Sequence, residues 1–272
     1  MIPDKLTAEH SENYKVSIRL MPDGLSFWGY NPSEKDSFFM ETFPFDDDLT
    51  TVDAIKQIVC KHDCITFAYQ SFHVACVSEK FTLASDHVFI ENEKERLFDF
   101  CFPRDESLKT LAQPVKSLNA RILFGIDKEV FAFLLRSLAS PQFIHALSPL
   151  LVAWHKKSLT VYPKMMHVAI HSHTMDVLCV EQGNLLFANS YQYEGSHDIV
   201  YYVMYICKQA GFNQLEDHLT VSGNPSVCRT VLSVFGKYVA KVDYLQQQIV
   251  DYKVEALHAP TLDMIALMEC GL

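Results

Sequence analysis

The chain has 272 residues, 49% hydrophobic and 21% charged, which excludes a disordered protein and supplies core for one large domain or two lobes. Its formal charge is 23 − 33 = −10, which repels phosphate backbones and argues against general nucleic-acid binding. No segment approaches the roughly 18 consecutive apolar residues that span a bilayer, and the polar stretch 1–13 has no basic region followed by an apolar one, so a cytoplasmic protein is expected.

Eight cysteines, at positions 60, 64, 76, 101, 179, 207, 228 and 270, fall mostly in apolar runs and read as buried thiols. Cys60 and Cys64 have three residues between them and no second pair, so no structural zinc is expected.

In chain order, Tyr14 to Leu20 alternates, with Val16, Ile18 and Leu20 on one side and Ser17 and Arg19 on the other. Pro22, Asp23 and Gly24 turn the chain, and Leu25 to Tyr30 returns as the second strand of a hairpin. Ser37 to Phe43 offers a third strand. Thr51 to His62 places Val52, Ile55, Ile58 and Val59 on one helical face behind a threonine cap. Ile65 to Tyr69 and Phe72 to Val77 read as paired strands, followed by a strand at Phe81 to Ala84 and a helix from Glu91 to Phe100. Pro103 to Gln113, polar and aperiodic, reads as a surface loop. Ala120 to Ile126 is a predicted strand, Asp127 caps a helix through Leu138, Phe143 to Ala146 is a short strand and Leu147 to Lys156 a helix. The polar run from Lys156 to Lys164 is the candidate boundary, giving a tail 1–13, a first lobe 14–157 and a second lobe 164–272.

The second half carries the most structured signal. Val168 to Ile170, Asp176 to Val180 and Leu185 to Ala188 are β-rich runs, the last two joined at Gln182, Gly183 and Asn184. Ile199, Val200, Val203, Ile206, Cys207 and Ala210 then fall at helical spacing, with Ser196 as the expected N-cap, Asp198 in the first turn, Lys208 in the last and Gly211 as the stop. Leu219 to Val221 is a strand ending in Ser222, Gly223 and Asn224. Helix Val227 to Phe235, strand Lys241 to Leu245 and a helix Thr261 to Met268, capped by Thr261, complete the chain. The tyrosine stripe Tyr201, Tyr202 and Tyr205, beside Tyr191 and Tyr193, reads as core or inter-lobe packing, with an interface as the alternative.

Strand, strand, strand, helix, strand thus occurs twice, from Tyr14 to Tyr69 and from Met166 to Ser222, as a duplicated domain would leave it. This order resembles the duplicated actin-like ATPase (ribonuclease H-like) fold, an α/β class with a mixed sheet flanked by helices in each of two lobes. The opening Val16-Ser-Ile-Arg-Leu with Asp23-Gly-Leu-Ser-Phe, the run Phe81-Thr-Leu to Phe98, and Gly195-Ser-His-Asp-Ile-Val-Tyr-Tyr-Val-Met-Tyr are similar to an uncharacterised Bacteroidetes family, DUF3822. That resemblance implies the fold and no established activity.

The same resemblance sets a test for nucleotide chemistry. Actin-like ATPases hold phosphates on one hairpin turn per lobe, the second commonly reading Asp-x-Gly-Gly-Gly-Thr-x-Asp. Laying Thr174 and Asp176 on its last positions puts Ala169 at the acidic site and His171, Ser172 and His173 at the glycines. Glycines let the backbone approach phosphates closely and the carboxylate organises Mg²⁺, so these losses weigh against Mg-ATP hydrolysis. Asp23 and Gly24 occupy the first hairpin turn, where Asp-Gly is also the default turn sequence, and Gly223 is the one glycine kept at the adenosine turn. Asp23, Gly24, Thr174, Asp176 and Gly223 therefore mark a vestigial nucleotide cleft on this resemblance, with no catalytic residue and no cofactor expected, residual adenine or ATP binding being left open.

His167, His171 and His173 share strand parity, and a His-x-His pair can chelate zinc, but no further ligand is placed beside them and no metal is expected. The Gly-x-Ser-x-Gly, Walker and dinucleotide-binding glycine motifs are all missing from the sequence. The expected role is a binding or scaffold module with a protein partner the sequence does not name. The rival is a phosphotransferase or ATPase using Asp23 or Asp176 in a rearranged cleft.

Overall fold

The computed structural model describes residues 2–3, 6–35, 37–159, 163–171, 173–223, 225–245 and 260–270. The readings placed on Ser172 and Asn224 lie outside them. Two five-stranded mixed sheets organise these residues. The first holds β1 (Lys15–Met21), β2 (Gly24–Tyr30), β3 (Phe39–Pro44), β4 (Ser71–Cys76) and β8 (Gln142–His145), in the order β3-β2-β1-β4-β8. The second holds β9 (Lys164–Ile170), β10 (Thr174–Glu181), β11 (Asn184–Gln192), β12 (His218–Gly223) and β13 (Lys241–Tyr244), in the order β11-β10-β9-β12-β13. The two orders correspond position by position. In each, an antiparallel meander of three strands is followed by a helix, α1 (Thr51–Lys61) or α5 (Ser196–Gln209), and by a strand parallel to the first of the meander.

A third, antiparallel sheet, β5-β7-β6, is inserted between β4 and β8; its strands are β5 (Phe81–Ser85), β6 (Leu108–Val115) and β7 (Ala120–Asp127). Helix α2 (Lys94–Cys101) buries Phe98 against it, and α3 (Lys128–Ser137) packs on α1. Asp127 caps α3 as expected, its carboxylate accepting from the backbone of Glu129 and Val130. Buried Gln113 of β6 ties the inserted sheet down: its Oε1 accepts from His145 N at 2.9 Å and from Ser148 Oγ at 2.7 Å.

Strand parity decides what each face of the first sheet buries. Val16, Ile18, Leu25, Phe27, Phe72 and Val74 join the core that also holds Val52, Ile55 and Val59 of α1 and Val130 and Leu134 of α3. The opposite parity brings Trp28, Tyr30, Ala75 and Ile144 against Met264 and Leu267 of α7 (Leu262–Cys270). Helix α4 (Leu147–Ser158) packs along α7 and on β9 and β10, so these two helices meet between the sheets. The outer face of the second sheet is covered by α5 and α6 (Pro225–Phe235).

Several expectations are corrected. Pro103 to Gln113 is not all loop: residues 108–115 form β6, the edge strand of the inserted sheet, where Pro114 is tolerated because an edge position does not require its missing N–H. Asp63–Thr66 is a 3₁₀ turn rather than part of a strand, its Thr66 hydroxyl donating to Asp63 O at 2.8 Å. The cap of α5 is Gly195, not Ser196; Asp198 reaches back and accepts from Glu194 N and Gly195 N, each at 3.0 Å. Thr261 Oγ1 makes no capping bond at α7. Cys76, Cys179, Cys207 and Cys228 are buried free thiols, whereas Cys60 and Cys101 are exposed. Tyr202 stacks on Tyr191 at 5.0 Å, but Tyr201 and Tyr205 face outward, 67% and 52% exposed. Residues 160–162 of the predicted boundary lie outside the described residues, and Lys164 is buried in β9, its ammonium donating to Ala210 O at 2.7 Å and Gly211 O at 3.1 Å at the C-terminus of α5. Among the described residues no helix is long and apolar enough to cross a membrane.

Candidate functional site

The β9-β10 hairpin turns at His171 to His173, so the shared parity of the three histidines is broken. His167, before the turn, is fully buried and stacks on Trp154 of α4 at 4.7 Å, the rings 7° apart. The Thr220 hydroxyl hydrogen-bonds its Nδ1, and Nε2 has no partner. Burial, with smaller contributions from Lys157 and His218, depresses its pKa to about 3, so the ring is neutral at ordinary pH. His173, by contrast, is exposed. Among the described residues no group of three His, Cys, Asp or Glu side chains is placed to hold a metal.

His171 turns inward instead. Its Nε2 donates to Asp176 Oδ2 at 2.9 Å, the Ser190 hydroxyl of β11 donates to Asp176 Oδ1, and the Tyr193 hydroxyl donates to the His171 carbonyl. Burial alone would lower the His171 pKa and raise that of Asp176. Their mutual attraction outweighs burial, leaving the imidazole above its ordinary value and the carboxyl below it. Both oxygens of Asp176 are therefore engaged by the protein.

This pair faces a second, between β1 and α7. Arg19 of β1 sits on the parity that sequence reading assigned away from the apolar core, and α7 covers it. Arg19 Nε donates to Asp263 Oδ2 at 2.7 Å, the side chains being 7% and 5% exposed. Burial raises the Asp263 pKa, but Arg19 overcomes it and the carboxyl lies below its ordinary value. Neither Thr261 Oγ1 nor Asp263 Oδ1 makes a hydrogen bond. His145 completes the wall: its Nε2 donates to Ser78 O at 2.9 Å and its Nδ1 accepts from Leu147 N at 3.2 Å, the arrangement of a neutral ring. Burial holds its pKa down, consistent with that tautomer.

Between the lobes these residues leave a cavity of about 20 Å³, lined by Arg19, His145, His171, Thr174, Asp176, Ser190 and Asp263 among others. That is room for about one water, whereas small-molecule sites run to roughly 300–1,000 Å³. At its rim Gln192 Nε2 of β11 donates to Glu79 Oε2, after β4, at 2.6 Å and bridges the lobes.

Of the five sequence-marked residues, the structure brings Thr174 and Asp176 into this cavity. Asp23 and Gly24 are elsewhere: Asp23 is exposed on the β1-β2 turn, its carbonyl accepting from Phe45 N at 2.9 Å, and a Cβ at Gly24 would meet Phe43 O at 2.6 Å across the β2-β3 pair. Gly223 ends β12 with φ +123°, and a Cβ there would lie 2.0 Å from Ile170 O, so this glycine answers to strand packing. Arg19, His145, Ser190 and Asp263 went unmarked. Their one visible signal was a charge at a regular strand position, Arg19, which a solvent-facing strand would show equally.

The family described as "Protein of unknown function (DUF3822)" matches residues 3–242, and the chain belongs to it. Among solved structures, a Bacteroides thetaiotaomicron protein described as having an actin-like ATPase fold and unknown function is 28% identical, with a TM-score of 0.83 over 96% of this chain and 98% of that one. A PilM-PilN type IV pilus biogenesis complex is 8% identical, with a TM-score of 0.54 over 86% of this chain and 88% of that one. The fold is the actin-like ATPase fold. No curated protein matches the chain.

Proposed function

We propose, taking membership of this family as the premise, that the chain is a catalytically degenerate actin-like protein acting as a cytoplasmic binding or scaffold module, with lobes 14–157 and 164–272. One observation carries the reading: the space between the lobes is about 20 Å³ and is closed by the buried ion pair Arg19–Asp263 and the part-buried hydrogen-bonded pair His171–Asp176. A triphosphate needs a concave cradle of backbone N–H groups and a carboxylate free to organise Mg²⁺. At the second hairpin Ala169 stands at the acidic position and Asp176 is engaged by His171 and Ser190. Asp23, Gly24, Thr174, Asp176 and Gly223 are on this reading remnants of a cleft whose chemistry is gone. The fold shared with the PilM-PilN complex makes a protein partner the first class to search for, as an analogy of fold alone.

The test is a thermal-unfolding titration with millimolar ATP, ADP and GTP in Mg²⁺, paired with an ATPase assay. A ligand bound only by the folded chain must raise Tm. The expected result is no shift and no turnover. Turnover abolished by Asp23→Ala or Asp176→Ala would establish the rival phosphotransferase reading instead.

A further inference from the structure

The C-terminal helix α7 follows the second sheet in sequence but packs on the first, and residues 246–259, outside the described ones, lie between it and β13. Its side chains divide between two surfaces. Met264, Leu267 and Met268, at positions i, i+3 and i+4, meet Trp28, Tyr30, Ala75 and Ile144 of the first sheet. Ala266, with Leu262 beside it, joins the core that holds Leu150 and Leu151 of α4. Asp263 adds a buried charge, its carboxylate accepting from Arg19 Nε at 2.7 Å. The first sheet and α4 thus form a groove that takes an apolar helix with a carboxylate in its first turn.

Nine residues are too few to hold a helix in water, so it is the groove that keeps α7 helical. The fit is incomplete. Asp263 Oδ1 is buried without a hydrogen bond, and beside Leu267 a cavity of about 250 Å³ is left, bordered also by Trp28, Tyr30 and His73. A helix that paired the free oxygen and filled this space would bind the same groove more tightly. Asp263 also stands in the wall of the inter-lobe cavity with Arg19 and His171, so undocking of α7 would open the cleft from that side.

We propose that α7 is an intramolecular plug, docked in a groove whose partner in trans is an apolar helix of another protein with an acidic residue at the position of Asp263. Binding exchanges one helix for the other: the partner's carboxylate takes over Arg19 Nε, its apolar face lies on Trp28 and Tyr30, and α7 leaves. The recognition chemistry is that of the helix seated in the groove, a negative charge for Arg19 and apolar residues three and four apart for the sheet. The inference rests on the chain's being a binding module, whose partner class and regulation it names, and it holds whether or not the cleft takes nucleotide.

The probe is a fluorescent peptide of residues 260–272 with Cys270→Ser, added to the whole chain. Asp263→Ala in the chain weakens the resident helix, so this variant is expected to bind the peptide saturably by anisotropy. The parent chain should bind it at least about tenfold more weakly, because its groove is filled. A peptide that also carries Asp263→Asn should bind the variant chain about tenfold more weakly than the peptide that keeps the carboxylate. Hydrogen exchange of the parent chain needs no variant: the amides of Ile265 to Met268 should exchange through an opening that leaves β1 protected. The proposal is overturned if the Asp263→Ala chain, shown folded by cooperative urea unfolding, does not bind the peptide, or if it and the parent chain bind equally. It is overturned equally if loss of the peptide's carboxylate leaves the affinity unchanged, or if α7 exchanges only together with β1. A nucleotide-dependent rise in Tm beside the expected results would refute the loss of nucleotide chemistry alone and leave the plug standing.

Discussion

The contact between Arg19 and Asp263 fixes the C-terminal helix to the first strand across 244 residues of chain, and its energetics can be tested by a double-mutant cycle. At an Nε–Oδ2 separation of 2.7 Å, the attraction is on the order of 6 kcal/mol at an effective dielectric constant of about 20. Desolvating two side chains that are 7% and 5% exposed cancels much of it, and Asp263 Oδ1 without a partner leaves the compensation incomplete. Removing one partner strands the other charge in the interior, so Arg19→Met and Asp263→Leu should each cost roughly 3–5 kcal/mol. The double variant, with an apolar pair of similar volume, should recover most of that loss and can match the parent in stability. Urea unfolding of the four proteins reads the difference as midpoint shifts at constant slope. A coupling energy of at least about 3 kcal/mol is expected. Additive single effects, or single losses under about 1 kcal/mol, would mean that the pair is solvated like a surface bridge and that α7 is held by its apolar face alone.

Three further outcomes follow from the same geometry. His167, neutral in the fold with a pKa of about 3 against an ordinary 6.5, supports folding above pH 6.5 and withdraws that support as pH falls, because only the unfolded chain takes up the proton. The loss is about 2 kcal/mol by pH 5, and His167→Phe, which retains a ring against Trp154, should flatten this acid limb in pH-dependent urea unfolding. The His171–Asp176 pair has the opposite profile at its upper end. Asp176, with its pKa lowered, contributes above about pH 4 and loses its effect as pH falls through its folded value; His171, with its pKa raised, contributes below about pH 6.5 and loses its effect as pH rises through its folded value. His171→Gln should therefore remove a decline in stability above about pH 6.5 that the parent shows. Gly223→Ala, which places a Cβ 2.0 Å from Ile170 O at φ +123°, should cost about 3 kcal/mol or more in thermal unfolding, whereas Gly195→Ala, with open space around it, should stay within about 1 kcal/mol.

Topology was legible where periodicity and turn chemistry acted together. The duplicated order could be read because Asp23-Gly24 and Gln182-Gly183 announced the two hairpins, the second turning with φ of 48° and 82°, and because α1 and α5 each show a clear apolar face. The edge strand β6 was missed because its burial alternates irregularly and it contains Pro114; its pairing with β7 is a tertiary fact. The cap of α5 slipped by one residue because Gly195 has no side chain to mark it, the reciprocal half of the capping box coming from Asp198, which accepts from Glu194 N and Gly195 N. In the cleft, Thr174 and Asp176 were found through the resemblance to a phosphate hairpin. Asp263 and Arg19 escaped because nothing local distinguishes a strand arginine that faces solvent from one over which a helix closes 244 residues later.

On the proposed reading the β9-β10 turn is a former phosphate hairpin, and the hydrogen bonds of Asp176 discriminate between two opposite meanings of its carboxylate. A carboxylate that serves Mg²⁺ or an attacking water must keep lone pairs free toward the cleft, and its neighbours must orient it without neutralising it. Asp176 gives one oxygen to His171 and the other to Ser190, and the imidazole beside it has its pKa raised by that contact, so the group that the carboxylate faces is a side chain of its own hairpin. On the proposed reading, His171 stands where a phosphate hairpin carries glycine, fills volume a phosphate would need and sets its imidazole against Asp176 where a magnesium ion would have stood. On this logic restoring a glycine at position 171 alone would not recreate a nucleotide site. It would leave Asp176 buried without its counter-charge, so His171→Gly should destabilise the chain by about 3 kcal/mol without conferring any Tm response to Mg-ATP, and a gain of such a response would refute the account.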